Sequence, residues 1–260
     1  MVYARRRRGR ILTSLYDTWT LQSWSEWLSR RPDAQTESVI ILHVDDHRDL
    51  AAPRLFIESD GWVDAISGCP VDLRSPATVE AAILSGAIGM GSFLTPFLHA
   101  CPHAEVRHLC QPPKVTRTQD YLIRTSELPD TLLRPGAPRP AIDLIPSPVQ
   151  VGSGFYRATC EHTAWLENLG PGPILLHIDM DYFNNRYDGD SHWRMRSSAG
   201  QDASEQEIQH QIAQLLAALR NSGASSRIED VVISYSPGFF PAELWQDSDE
   251  RLRTGLETIL

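Results

Sequence analysis

The chain has 260 residues and a formal net charge of -9, with 24 basic and 33 acidic side chains and 42% apolar residues. This length suits one large domain or two small ones, and it is enough to bury a substantial core. The composition is that of a globular protein rather than of a disordered or fibrous one. Surfaces that bind nucleic acid are usually basic, so the acidic balance argues against nucleic acid as a partner.

The N-terminus and the cysteines exclude further classes of protein. No apolar run reaches the ~20 residues that cross a bilayer, which argues against a membrane partner. Residues 1–11 contain five arginines and no secretory apolar stretch follows, so we predict a flexible Arg-rich tail there. Four scattered cysteines without CxxC spacing do not form a disulfide framework. Together these features favour a cytoplasmic location.

Short apolar runs separated by helical patterns predict an α/β protein. The runs, which suit strands buried on both faces of a parallel sheet, are 39–44, 173–178 and 231–234. Helical patterns cover 19–28, 75–86, 204–223 and 252–260. Pro76 suits a first helical position, and Ser204 with Glu207 forms a capping box. The alternation predicts an α/β sandwich with a mostly parallel sheet.

Two segments depart from this alternation. Residues 128–154 contain six prolines, too many for a regular element apart from a short strand near 141–145. Residues 184–203 are polar and follow the second apolar run directly. Because ligands bind beyond the carboxyl ends of strands in open α/β sheets, this polar loop is well placed to line a site.

Two groups of acidic side chains follow the first two strands. Asp45, His47 and Asp49 alternate after the first, and Asp179 and Asp181 alternate after the second. Alternate side chains of an extended segment point the same way. If the two strands are neighbours, five ligand-type side chains therefore surround one point.

A dense group of buried carboxylates is tolerated when a cation neutralises it. Four aspartates and one histidine favour Mn²⁺ over Fe²⁺, Zn²⁺ or Mg²⁺, and bridging carboxylates suit two ions. Simpler alternatives are that the aspartate pairs are turn residues or helix caps, or that the site no longer binds metal. His43 and His177, within the apolar runs, are interpreted as packed core histidines.

The sequence resembles the arginase/ureohydrolase superfamily, most closely its branch that includes peptide arginases. The similarity is carried by Asp-x-His-x-Asp within 42–50, Asp-x-Asp within 177–183 and, more loosely, 234–241. It implies a three-layer α/β/α sandwich with an eight-stranded, mostly parallel sheet, formed by one catalytic domain over 12–260. It also implies two Mn²⁺ ions held by the five ligand-type residues, with Asp45 and Asp179 bridging them.

Two departures from the family pattern concern histidines. No histidine precedes His43 to supply the family's upstream ligand, and Asp17 is the best-placed substitute; the alternative is a helix N-cap. The active-site histidine that follows the first motif is also missing. Ser92 and His192 are the candidates for handling protons instead, although Ser92 could simply cap a helix and His192 could be a solvated loop residue.

The resemblance implies hydrolysis of arginine side chains in a ribosomal precursor peptide to ornithine, with release of urea. Activated water would attack the guanidinium carbon, and Asp49 would relay a proton to the departing amine. Glu243 is the candidate for orienting the cation, unless it stabilises the first turn of a helix. Asp190 and Tyr235 are further predicted substrate contacts.

Competing interpretations remain open from the sequence. The enzyme alternatives are a ureohydrolase of a small guanidino compound and a single-metal deacetylase on the same fold. The alternative without catalysis is a peptide-binding module with a degenerate metal site. An Arg-containing precursor peptide is the expected partner, and assembly into a homo-oligomer is compatible with the sequence.

Overall fold

A nine-stranded mixed sheet forms the centre of the protein, whose computed structural model describes residues 4–32, 38–147, 154–186 and 202–260. Its strands are β1 (Arg5–Arg8), β2 (Ile11–Ser14), β3 (Ile40–Val44), β7 (Glu105–Leu109), β8 (Gln119–Pro129), β9 (Pro138–Pro146), β10 (Phe155–Thr159), β11 (Ile174–Asp179) and β12 (Ile228–Ser234). A small antiparallel sheet contains β4 (Leu55–Glu58), β5 (Gly61–Asp64) and β6 (Pro70–Val71).

The order in the large sheet is β1-β2-β12-β11-β3-β7-β10-β8-β9. The six strands from β2 to β10 in this order run parallel, while β1, β8 and β9 pair antiparallel at the two edges. The predicted α/β class is therefore confirmed. The eight-stranded arrangement is not, because nine strands are present and three of the eight neighbouring pairs are antiparallel.

Helices cover both faces of the sheet. One face carries α1 (Trp19–Ser29), α2 (Pro76–Ser85) and α3 (Leu94–Ala100), and the other carries α4 (His162–Leu166), α5 (Glu205–Asn221) and α6 (Trp245–Glu257). A hydrophobic core lies on each face of the sheet, and alternate strand residues point into one or the other. Ile41 packs in the core under α1, α2 and α3, whereas Ile40 and Leu42 pack in the core under α4, α5 and α6. Continuous apolar runs are needed because both faces are covered.

The predicted helix signals lie at the observed helix ends. Ser204 Oγ accepts a hydrogen bond from the Glu207 amide (3.2 Å), and the Glu207 carboxylate accepts one from the Ser204 amide (2.7 Å), which confirms the capping box before α5. Pro76 begins α2, and Gly86 ends it at φ 86°, a left-handed conformation that favours glycine. No helix in the described ranges is long and apolar enough to cross a membrane. All four cysteines are free.

The proline-rich segment is a correction to the sequence analysis. Instead of one short strand, β8 and β9 form a long antiparallel hairpin that pairs Tyr121 with Pro146 and Pro129 with Pro138. The prolines of β9 are Pro138, Pro140 and Pro146. All are even-numbered, so their missing N–H groups fall on one side of a strand that lies at the edge of the sheet. An edge strand tolerates proline because that side has no ladder to complete.

The N-terminal arginines form an edge strand, so the flexible tail predicted for residues 1–11 is wrong where the structure describes it. Arg5 stacks 4.0 Å from the Trp19 ring centroid, and Arg7 Nη1 lies 2.9 Å from Asp230 Oδ1. On the opposite face Arg6 pairs with Asp249 (3.1 Å), and Arg8 lies 3.4 Å from Glu257. These acids come from distant parts of the chain. A strand edge lined with charge also resists pairing with other chains.

Arg7→Ala should destabilise the protein far more than Arg8→Ala. The Asp230 carboxylate is buried, and loss of Arg7 leaves it with the hydrogen bond that the Ser23 hydroxyl donates (2.6 Å). We expect a loss of about 2 kcal/mol in the free energy of unfolding, since removing Arg7 leaves a buried carboxylate without its cationic partner. Arg8 is 70% exposed, and its pair should contribute less than ~0.5 kcal/mol. Equal shifts of the two variants in urea denaturation would contradict this account.

Candidate metal centre

The two acidic motifs meet at one edge of the sheet because β3 and β11 are adjacent and parallel. His43 lies opposite His177 in the register, so the segments that follow both strands emerge side by side. His47 Nδ1 is 2.9 Å from Asp181 Oδ2 and 3.6 Å from Asp45 Oδ1. The predicted neighbourhood of the two strands is thus confirmed, and Asp45, His47 and Asp181 form an outer set of potential ligands.

A second set lies deeper and includes the two histidines interpreted as core residues. His43 Nε2 is 3.9 Å from Asp45 Oδ2 and 3.8 Å from Asp49 Oδ2, while His177 Nδ1 is 3.7 Å from Asp45 Oδ2. Both histidines are fully buried, as expected, but they face carboxylates as well as apolar neighbours. Their ligand atoms and those of Asp45 and Asp49 lie within 4.8 Å of one another. We refer to these four residues as the inner set.

Several carboxylates of the site are buried close to one another, and their mutual repulsion dominates its electrostatics. Burial and repulsion from Asp181 raise the pKa values of Asp45 and Asp179 well above the usual value of an aspartate. Burial and repulsion from Asp45 raise the pKa of Asp49 in the same way. Asp45 Oδ2 and Asp49 Oδ2 are buried without a hydrogen-bond partner. Such oxygens are costly unless a cation neutralises them, and the mixture of carboxylates and imidazoles suits a divalent transition metal. The residues therefore fit a metal ion.

Protons take the place of a cation in the metal-free cluster. Burial lowers the pKa of His47, but the hydrogen bond and charge of Asp181 outweigh it and raise the pKa to about 9. His47 is then an imidazolium beside Asp181 at neutral pH. A divalent ion bound to the outer set would displace this proton.

A cleft of about 790 Å³ opens over the cluster. Asp49, Asp179 and Asp181 belong to its acidic floor, while the more exposed Arg48 and Lys114 supply positive charge to its walls. Lys114 Nζ is 2.9 Å from Asp46 Oδ2. The cleft is therefore acidic at depth and basic nearer to solvent.

Asp17 lines this cleft but belongs to neither ligand set. Its Oδ2 accepts a 2.7 Å hydrogen bond from the Gly91 amide, and burial raises its pKa to about 6. The N-cap of α1 is Thr18, which makes no side-chain capping bond, so the structure does not support the capping role weighed for Asp17. Its role as the replacement ligand remains a prediction.

The hydroxyl of Ser92 is bonded within its own turn. Its Oγ donates to the Gly89 carbonyl (2.7 Å) and accepts from the Gly89 amide (3.1 Å), so this hydroxyl closes its own turn. Ser92 is buried and is not among the residues that line the cleft. These contacts show a local structural role, and a role of Ser92 in proton handling stays a prediction.

Two of the predicted substrate contacts also face elsewhere. Tyr235 packs against Trp245 of α6, with ring centroids 5.4 Å apart. Its side chain points away from those of Ser234 and Ser236. Glu243 is exposed and pairs with Arg186 at 2.9 Å. Neither is among the described residues that line the cleft, and their roles as substrate contacts stay predictions. His192 and Asp190 lie outside the described residues.

Three residues of the site were missed by sequence reasoning. Ser236 Oγ donates to Asp181 Oδ2 (3.2 Å), and the Phe239 ring lies 5.3 Å from that of His47. Ser236 adopts φ 51°, a conformation that is unusual for serine, and its side chain points toward Asp181. Ser236 and Phe239 both belong to the third motif, 234–241, which resembles the family pattern only loosely. His108, on β7, lies under the cluster and is described further below.

Comparison with protein-family models and with curated proteins gives no match for this chain.

Proposed function

We propose that this protein is a metal-dependent peptide arginase that hydrolyses arginine side chains to ornithine with release of urea. The observation that carries the proposal is the buried carboxylate and imidazole cluster at the floor of an open, acidic cleft. The Asp-x-His-x-Asp and Asp-x-Asp motifs on adjacent parallel strands support an arginase-like site. The choice of peptidyl arginine as substrate extends the resemblance seen in the sequence.

We propose two Mn²⁺ ions as the cofactor. The outer set would hold one ion, and Asp45, Asp49 and Asp179 would hold the other, since Asp45 presents one oxygen to each side. Ions bound there would neutralise the carboxylates and lower the pKa of a water molecule toward neutrality. The four carboxylates and the imidazole of His47 supply the hard, oxygen-rich ligands that manganese prefers.

A carboxylate of the cleft that is not a metal ligand would hold the substrate's guanidinium group. This cation is permanently charged, and its planar fork matches carboxylate oxygens. Asp17 lines the cleft with one oxygen fixed by the Gly91 amide, which makes it the candidate for orienting the guanidinium. Asp49, deeper in the cleft, is the candidate for passing a proton to the departing amine.

The size and lining of the cleft favour a peptide over free arginine. A cleft of about 790 Å³ approaches the upper range of small-molecule sites, and one arginine side chain fills only part of it. A second cavity of about 220 Å³ shares Asp46, Lys114 and Asp181 with the cleft. Its lining includes the amide side chains of Gln111, Asn184, Asn185 and Gln211. Asn184 and Asn185 already bond Asp202, Ala203 and Asp46, whereas Gln211 Oε1 is buried without a partner and could accept a hydrogen bond from the backbone of a bound peptide.

Mass spectrometry tests the proposal. We expect Arg-containing peptides incubated with the Mn²⁺-loaded protein to lose CH₂N₂ for each modified arginine and to release an equal amount of urea. Peptides with lysine in place of arginine are the matched control. Urea from free arginine or agmatine without peptide modification would instead indicate a small-molecule ureohydrolase. Binding of the peptide without any mass change would indicate a peptide-binding module.

A further inference from the structure

Three buried histidines form a row directly beneath the ligand segments. His177, His43 and His108 lie opposite one another on the parallel strands β11, β3 and β7. Their rings lie 5.2 Å apart for His177 and His43 and 4.7 Å apart for His43 and His108. Solvent does not reach any of them to a significant extent. A buried row of polar rings is costly unless each nitrogen is satisfied.

The first hydrogen-bonded chain runs from Ser234 to the carbonyl of His47. Ser234 Oγ is 3.2 Å from His177 Nε2, His177 Nδ1 is 3.1 Å from His43 Nδ1, and His43 Nε2 is 3.0 Å from the His47 carbonyl oxygen. A carbonyl only accepts, so His43 Nε2 carries a proton. With one proton for each pair of facing nitrogens, His43 accepts at Nδ1 from His177 Nδ1–H, and His177 accepts at Nε2 from the Ser234 hydroxyl.

The second chain runs from Tyr156 to the carbonyl of Asp45. The Tyr156 hydroxyl is 2.8 Å from His108 Nδ1, and His108 Nε2 is 2.9 Å from the Asp45 carbonyl oxygen. The same argument puts the proton of His108 on Nε2 and makes Tyr156 the donor to Nδ1.

We propose that His43, His108 and His177 form a hydrogen-bonded layer that positions the metal-ligand segment through the backbone carbonyls of Asp45 and His47. Both chains end on alternate ligand residues of one motif. The histidine nitrogens stay 3.7 to 3.9 Å from Asp45 Oδ2 and Asp49 Oδ2, which leaves those oxygens to a cation. The inference rests on the metal site of the proposed function, and it makes the three histidines positioning residues rather than ligands.

The distal ends of the two chains provide the sharpest test. Tyr156→Phe and Ser234→Ala each remove one hydroxyl donor without touching a carboxylate, and each allows the next histidine to change its tautomer. We expect both variants to bind Mn²⁺ about 10- to 100-fold more weakly than the wild type in titration calorimetry, as for other residues that orient metal ligands. Tyr121→Phe is the matched control, because the Tyr121 hydroxyl donates to Gln119 outside the layer.

A conservative rescue separates positioning from packing. His108→Gln keeps an N–H near the position of Nε2, whereas His108→Leu keeps only bulk. We expect the glutamine variant to retain more Mn²⁺ affinity than the leucine variant, with circular dichroism showing that both are folded. Wild-type affinity in both Tyr156→Phe and Ser234→Ala, or equal affinity in the two His108 variants, would overturn the layer. If affinities respond as expected while peptides stay unmodified, the layer stands and the arginase proposal fails.

Discussion

Asp45→Asn should reduce Mn²⁺ affinity by more than about 100-fold and eliminate hydrolysis of arginine peptides, since losses around the ligands alone cost roughly 10- to 100-fold. Asp45 is the residue common to the two ligand sets. Its Oδ1 lies 3.6 Å from His47 Nδ1, and its Oδ2 lies 3.7 Å from His177 Nδ1. An amide keeps the shape of the side chain but removes the charge. The measurements are metal content after dialysis, titration calorimetry and peptide mass.

The metal-free form of Asp45→Asn should show the opposite effect on stability. Removing one buried charge relieves repulsion from Asp179 and Asp181, so we expect the variant without metal to melt at a higher temperature than the wild type without metal. Asp143→Asn is the matched control, because Asp143 pairs with Arg124 on the β8–β9 hairpin. Retention of wild-type metal content in Asp45→Asn would refute the assignment of the site.

The sequence predicts the centre of the fold because local signals agree there. The runs that became β3 and β11 are apolar throughout, as strands covered on both faces must be. The polar residues after them stand out by contrast, so Asp45, Asp49 and Asp181 could be placed at one sheet edge before any coordinates. The capping box of α5 is likewise a local pattern with one structural meaning.

The elements that escaped prediction depend on distant partners. β1 is ordered by Glu80, Asp230, Asp249 and Glu257, none of which is near it in the sequence. β9 tolerates its prolines because it lies at the edge of the sheet. Local composition reports neither fact, and it therefore favoured a tail and a loop.

Side-chain direction explains the errors at the site. Tyr235 and Ser236 are adjacent in sequence, yet Ser236 bonds Asp181 while Tyr235 packs against Trp245, and the left-handed φ of Ser236 past the end of β12 is not readable from local sequence. His108 carries no motif of its own. Its significance comes from register with His43, which only the pairing of β3 with β7 reveals.

Metal removal should destabilise the protein more at about pH 8 than at about pH 5, because the raised pKa values of the carboxylates and of His47 act in the same sense. For Asp17 the pKa rises from 3.8 in the unfolded chain to about 6 when folded. Ionisation therefore opposes folding of the metal-free protein increasingly above pH 3.8 and fully above about pH 6. Asp45, Asp49 and Asp179 have pKa values raised in the same direction.

His47 acts in the same sense. Its pKa is raised from 6.5 to about 9, so the stability that its imidazolium contributes is complete below pH 6.5 and is lost as the pH rises through about 9. His43, His108 and His177 are neutral with or without the ion. Their contributions to the free energy of unfolding therefore cancel when the metal-bound and metal-free proteins are compared. We expect Mn²⁺ to raise the melting temperature at about pH 8 by at least ~3 °C more than at about pH 5, which corresponds to ~1 kcal/mol for a chain of this size. Thermal denaturation with Mn²⁺ or with a chelator measures the difference, and equal increments would show that the ion does not replace protons on these carboxylates.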